Sequence, residues 1–459
     1  MPVITDLFKR QVTQDLFDDF SDSASNSYYI GIGRSEGWGD SADTATVPRN
    51  TPQDVRNARL SLQSAKIVSD VSFVIPRRQW ATGLIYYAYD DNNVGYNPDQ
   101  PFYVINSNQE IYICIRQGKT ADGLPRASDQ QPTGNTTGTP FTLSDGYTWK
   151  FLYSIGALRA SKFLSSSYMP VKKVLFTDSD SPAEDLQQEI VQDNAVDGQI
   201  IGYEVIEGGS GYSPSNPPPV TITGNGTGAT AYAIVAGEEV VEVRVKEDSA
   251  GNSGNSYLGS GYEYASATIS GGGGTGATLR PVLGPKGGLG FDPRNDLKSS
   301  ALMFNTKISG DEDSDFTIGT DIYRQVSLLK NVLQYDSVAP LTDPTGIALK
   351  RITHNGAGWD AISILKQQVT NGQGAVAYID KTNGTNTFWF HQTEETGFEE
   401  FSVSDEISIV GNSEKTGTIT AINNGDFDPM SGDLLYIDNR SAVDRNNGQD
   451  DDLKIVISL

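Results

Sequence analysis

Hydrophobic positions along this chain fall mostly into short runs, separated by glycine, proline and small polar residues. That pattern predicts a β-rich protein with tight turns. Two stretches depart from it near the start. Val3, Leu7, Phe8, Val12, Leu16, Phe17 and Phe20 recur at helical spacing, so residues 3–20 read as an amphipathic helix. Thr51, Pro52 and Asp54 then supply a capping hydroxyl, a proline suited to the first helical turn and a capping-box-like carboxylate. Val55, Ala58, Leu62 and Ala65 continue at three- or four-residue intervals, which carries this second helix on toward Val71.

Strands are expected elsewhere. Tyr28–Ile32 is short and apolar, and it runs into a glycine-rich turn. Val71–Ile75 and Leu84–Tyr89 read as two strands flanking a proline-stopped corner with Arg77, Arg78 and Trp80. That corner suits a docking anchor, since arginine and tryptophan are favoured in binding hot spots. The plainer expectation is that the two arginines pair with carboxylates, which the chain has in excess. Phe102–Ile105 and Ile111–Ile115 follow, with residues 118–140 as loop; Tyr147–Tyr153 then alternates as a half-buried strand, and Ser181-Pro182 opens a short helix through Val191.

Composition shifts at about residue 197. Gly209-Ser210-Gly211-Tyr212, Thr221–Gly224 and Gly226–Thr230 recur as Gly259-Ser260-Gly261-Tyr262, Thr268–Gly271 and Gly274–Thr278. Two copies are too few for a solenoid and fit one compact β-module with pseudo-symmetry. Further on, Ala301–Ile308 and Gln325–Leu329 are strand-like. Ala375–Ile379 and Thr387–His391 form a hairpin about Asn383-Gly384. Phe401–Val410, Gly417–Ile422, Leu434–Ile437 and Leu453–Leu459 add strands, the last two separated by a polar segment, Asn439–Asp452. The fold expected is mostly β: a β-sandwich core (1–195, 285–345, 425–459) with a few helices, interrupted by two small inserted β-modules at 196–284 and 346–424.

Charge narrows the function. With 58 acidic against 34 basic residues the formal net charge is −24, which argues against a duplex nucleic-acid surface. Cys114 is the only cysteine, so neither an intrachain disulfide nor a thiolate metal cage is available. No apolar run approaches the ~20 residues needed to span a bilayer, and the first residues do not read as a secretory signal. A protein made in a cytosol, without membrane insertion, is expected.

Candidate chemistry is sparse. Gly33-Arg34-Ser35-Glu36-Gly37 matches the G-x-S-x-G elbow of serine hydrolases, but that reaction needs a helix after the serine and a histidine base. The only histidines, His354 and His391, lie far along the chain in the second module, so Ser35 is expected to be a turn residue. Gly31-Ile32-Gly33 lacks the third glycine of a dinucleotide fingerprint, and Gly411–Thr416 lacks the glycine before lysine that a phosphate loop requires. Asp311-Glu312-Asp313 with Asp315, and Asp450–Asp452, lack calcium-loop spacing and read as solvated acidic loops. No metal or other cofactor is expected. Trp38, Trp80, Trp149, Trp389 and the tyrosines also raise a carbohydrate platform as an alternative, with core packing the plainer reading.

Several segments together resemble the baseplate wedge protein family encoded by gene eight of T-even-type phages. They are Ile30–Trp38 (IGIGRSEGW), Val74–Trp80 (VIPRRQW), Asp145–Tyr153 (DGYTWKFLY), Tyr323–Val326 and Ser431–Arg440. The resemblance covers roughly residues 1–195, 285–340 and 425–459, and the family's T-even members lack counterparts of the glycine-rich repeat and of residues 346–424. It implies a virion structural protein without catalysis, commonly a dimer, bound to other wedge proteins in the baseplate of a contractile tail after assembly in the host cytoplasm. Arg34, Trp38, Arg77, Arg78 and Trp80 are then the candidate partner-binding residues. The alternative is a virion adhesin or glycan-binding protein using the glycine-rich module.

Overall fold

The computed structural model describes the whole chain except residues 1, 40–41, 94–96, 135, 179, 247–254, 309–321, 358, 360–366 and 445–448. The fold is mostly β, built from antiparallel sheets with a few helices. Two compact units form. One comprises Met1–Gln14, Ser72–Met303 and Ile457–Leu459; the other comprises Asp15–Val71 and Phe304–Val456. Among the described residues no helix is long and apolar enough to cross a membrane.

In the first unit the strands Tyr103–Ile105, Glu110–Arg116, Thr148–Ser154 and Phe141–Thr142 form a sheet in that order. Tyr86, Val104, Tyr112, Cys114, Tyr147, Trp149, Phe151 and Val191 make its aromatic core. Tyr147–Tyr153 is expected to be half-buried, yet within the strand Thr148–Ser154 residues 148–153 are buried on both faces. Val191 of the helix Ala183–Asp193 joins that core, and the Lys150 ammonium donates to the Leu289 carbonyl at 2.5 Å; both side chains flank Gly290. Leu84–Tyr89, expected as a strand, joins no ladder. It runs extended, held by single bonds from Tyr87 N to Pro101 O and from Tyr89 N to Cys114 O, while the Tyr147 hydroxyl accepts from Tyr86 N. A side-chain acceptor thus occupies a backbone donor that a ladder would need.

The glycine-rich repeats fold through one another. Val220–Gly224 pairs with Ala265–Ile269, and Ser210 opposes Thr275 in the long pairing of Ile200–Ser210 with Thr275–Leu283. Tyr212 of the first copy packs on Gly274 of the second: a Cβ there would lie 2.5 Å from the Tyr212 Cγ. Tyr262 of the second copy packs on Gly226 of the first in the same way. These two glycines serve close approach rather than a left-handed turn, a role Gly209 and Gly259 fill at φ +68 and +71.

In the second unit five strands, Thr345–Ile347, Leu62–Ile67, Tyr28–Gly33, Ile322–Lys330 and Asp433–Asp444, form a sheet in that order. The helix Pro52–Leu60 begins as its cap predicts, with Thr51 Oγ1 accepting from Asp54 N at 3.1 Å. It stops at Leu60, however, and Leu62 and Ala65 belong to a strand whose Ala65 opposes Gly31. Likewise Asp433–Asp444 runs well into the segment expected to be polar linker, because its partner Ile322–Lys330 is long enough to pair with it. Lys350–His354, Thr387–His391, Val376–Thr382, Gln368–Thr370, Glu406–Ile409 and Asn412–Asn423 close into a barrel in that order. Its interior holds Ile352, Trp359, Ile379, Phe388, Phe390 and Ile419. The predicted hairpin is present, with the Asn383 side chain accepting from the amides of Thr385, Asn386 and Thr387.

Candidate functional site

Within the second unit, the chain leaving strand Tyr28–Gly33 makes a forced turn. A Cβ on Gly33 would lie 2.6 Å from the Ser61 carbonyl, and Arg34, at φ +62, donates its amide to that same oxygen at 2.8 Å. The turn carries Ser35 and Glu36 to the barrel strands Val376–Thr382 and Thr387–His391. Ser35, 4% exposed, donates its hydroxyl to the Asp380 carboxylate. The other Asp380 oxygen lies 2.6 Å from His391 Nδ1, and Gln63 Nε2 donates to Asp380 Oδ1 at 3.4 Å. His391 Nε2 is 3.3 Å from Glu36 Oε2, an ion-pair distance without hydrogen-bond geometry. Arg34 lies 3.5 Å from the other Glu36 oxygen, with its guanidinium 4.2 Å above the Trp38 ring.

Two further residues fix the loop. Arg324 donates to the Ser35 carbonyl and, through Nε, to Asp43 Oδ2 at 2.7 Å. Trp38 donates its indole N–H to the Arg440 carbonyl at 3.0 Å and its amide to Asp43 Oδ1 at 2.9 Å. Arg34 and Trp38 therefore have partners within their own chain.

Electrostatics decide what this cluster does. Burial disfavours an imidazolium at His391, but Asp380 and Glu36 outweigh it and push the pKa up to about 10. Burial likewise raises the Glu36 carboxyl, and His391 and Arg34 more than offset it, so that its pKa is lowered. His391 is thus a cation at neutral pH, with a carboxylate against each nitrogen and no lone pair for accepting a proton. A serine nucleophile needs a neutral histidine bonded to its hydroxyl; here the hydroxyl is bonded to the aspartate, and Glu36–Gly39, directly after Ser35, are not helical. Ser35 is a turn residue in a buried ionic lock that ties the loop to the barrel.

His391 does meet the Ser35 loop, although the sequence places the two in separate modules. Of the cluster's remaining members, Asp380 and Gln63 carry no local motif; Glu36 lies in Gly33–Gly37 and Arg324 in Tyr323–Val326, but neither segment points to the other or to His391. His354 packs instead against Trp359, with ring centroids 4.3 Å apart, and burial lowers its pKa.

Arg77, Arg78 and Trp80 lie in the first unit. Arg77, expected to find a carboxylate, instead donates to the Ser165 carbonyl at 3.0 Å and to the Gln79 side chain at 3.1 Å. Arg78 donates to the Pro98 carbonyl at 3.1 Å. Trp80 packs on the aromatic core, donating its indole N–H to Ser128 Oγ at 3.3 Å and its amide to the Ile105 carbonyl at 2.9 Å.

Asp450 and Asp452 pair with Lys307 and Lys454. Asp311, Glu312, Asp313 and Asp315 lie outside the described residues. Among the described residues no group of three or more His, Cys, Asp or Glu is placed to hold a metal ion. No protein-family model matches the chain, and no curated protein matches its sequence.

Proposed function

We propose that this chain is a structural subunit of the baseplate wedge of a contractile phage tail. In this reading it binds other wedge proteins, pairs with a second copy of itself, takes part in sheath triggering, and performs no catalysis. One observation carries the reading. Three of the segments that bear the family resemblance, Ile30–Trp38, Tyr323–Val326 and Ser431–Arg440, lie side by side although hundreds of residues separate them. Ile32 opposes Val326, Val326 opposes Asp438, and the Trp38 indole closes the group on the Arg440 carbonyl. Chance matches would scatter over unrelated surfaces; these share one framework. The Ser35 geometry supports the same reading, because it spends the most enzyme-like motif of the chain on a structural lock.

The test is composition of the particle. Peptide mass spectrometry of purified contractile-tailed virions whose genome encodes this chain should find it, and immunogold labelling should place it at the tail tip. Its absence from the particles refutes the proposal.

A further inference from the structure

In the first unit a cleft of about 580 Å³ opens between the glycine-rich module and the sheet containing Glu110–Arg116. That volume falls within the ~300–1,000 Å³ typical of small-ligand sites. The segment Tyr87–Asn93 and the end of strand Glu110–Arg116 form one side; the strands Ile200–Ser210, Glu239–Val245 and Thr275–Leu283 form the other.

The charged side chains of the cleft are already committed to the protein. Arg280 donates to Glu204 at 2.8 Å and to Asp90 and Asp91 at 2.5 Å each, so it straps the module to the loop opposite. Arg244 is held by Glu242 at 2.8 Å, Lys119 donates to the Val241 carbonyl at 3.2 Å, and Arg116 donates to Thr142 Oγ1 at 3.3 Å. An anionic ligand would have to displace carboxylates from Arg280, and a cationic one would have to compete with Arg280 for them. What remains open is neutral. Among the described residues the side chains of Tyr87, Asn92, Asn93 and Gln100 line the cleft and make no hydrogen bond. Each carboxamide offers two donors and an acceptor, and the tyrosine offers a ring face and a hydroxyl. A purely apolar ligand would leave the carboxamides without partners, which is costly in a closed site. A sugar satisfies both kinds of group, with hydroxyls for the amides and a C–H face for the ring.

We propose that this cleft binds a short, uncharged oligosaccharide, giving the chain a glycan contact beyond its place in the wedge. The test uses the intact, fluorescently labelled chain on an array of neutral hexose and deoxyhexose trisaccharides, acidic trisaccharides and uncharged peptides. Saturable binding to neutral trisaccharides is expected, weakened about tenfold by Tyr87→Ala and by Asn93→Ala with the melting temperature unchanged, a loss of ~1.4 kcal/mol. No glycan retained, retention of acidic glycans or peptides alone, or binding unchanged in both variants would overturn the proposal. Virion incorporation is scored separately, so failure here leaves the wedge reading to its own test.

Discussion

Asp380→Ala is the change that most sharply separates an ionic lock from incidental surface charge. Its carboxylate accepts from Ser35 and Gln63 and faces the imidazolium of His391. Removal leaves that cation buried with Glu36 alone. Deleting one partner of a buried ion pair costs about 3–5 kcal/mol. The titration of His391 points the same way, because the two carboxylates outweigh the burial penalty on its imidazolium and push its pKa up to about 10. The sign of the pH dependence follows. Folded protein keeps the His391 proton up to about pH 10, whereas unfolded chain releases it above 6.5. The stabilisation is therefore complete below pH 6.5, declines as the pH rises, and is lost beyond 10. Glu36 acts oppositely, since its lowered pKa makes its contribution fade on acidification. Urea unfolding followed by tryptophan fluorescence, from about pH 6 to 9, should show wild-type stability falling with pH. Asp380→Ala should be less stable by about 3 kcal/mol or more at the low end, with a flatter slope. A variant within ~0.5 kcal/mol of wild type, or one with the same slope, would refute the reasoning.

Four other outcomes are expected. Ser35→Ala removes one hydrogen bond, so it should cost about 1 kcal/mol in the same assay; fluorophosphonate labelling of wild type that vanishes in the variant would contradict the turn assignment. Gly274→Ala drives a methyl group into the Tyr212 ring and should destabilise by about 1–3 kcal/mol, measured as a loss in thermal midpoint; a neutral change would contradict the interlocked repeats. Trp80→Ala strips a partly buried ring from the aromatic core and should cost about 1.5–3 kcal/mol, so melting like wild type would make that corner decoration. Finally, Ile200 opposes Leu283 at the neck of the glycine-rich module, so excising 201–282 through a few Gly/Ser residues adds little closure entropy. That variant should unfold cooperatively and keep its light-scattering mass; insoluble product would contradict it.

Local chemistry was legible in the sequence and long-range pairing was not. Thr51, Pro52 and Asp54 start their helix because a cap acts within a few residues. Leu62 and Ala65 are three apart, which fits a helix and not strand alternation, and pairing with the Gly31 strand overrides that local signal. Gly31 completes no dinucleotide fingerprint; its role is close approach, since a Cβ there would sit 2.7 Å from both Leu62 Cδ1 and Ser327 Oγ. The repeat was plain in composition, but nothing local says that Tyr212 packs on the other copy's glycine. Ser35 reads as a turn on the ground that the histidines are remote in sequence, but His391 does reach its loop, with Asp380 standing between serine and histidine. Such a cluster is assembled by tertiary packing, which no local signature announces.

A cryo-electron-microscopy map of the intact contractile tail decides whether this chain works in the baseplate wedge. Expected there is density that accepts the sheet of Tyr28–Gly33, Ile322–Lys330 and Asp433–Asp444 together with the six-stranded barrel, in contact with other wedge proteins and a second copy. A baseplate fully accounted for by other chains, or this chain found only in fibres or absent from the particle, would contradict it.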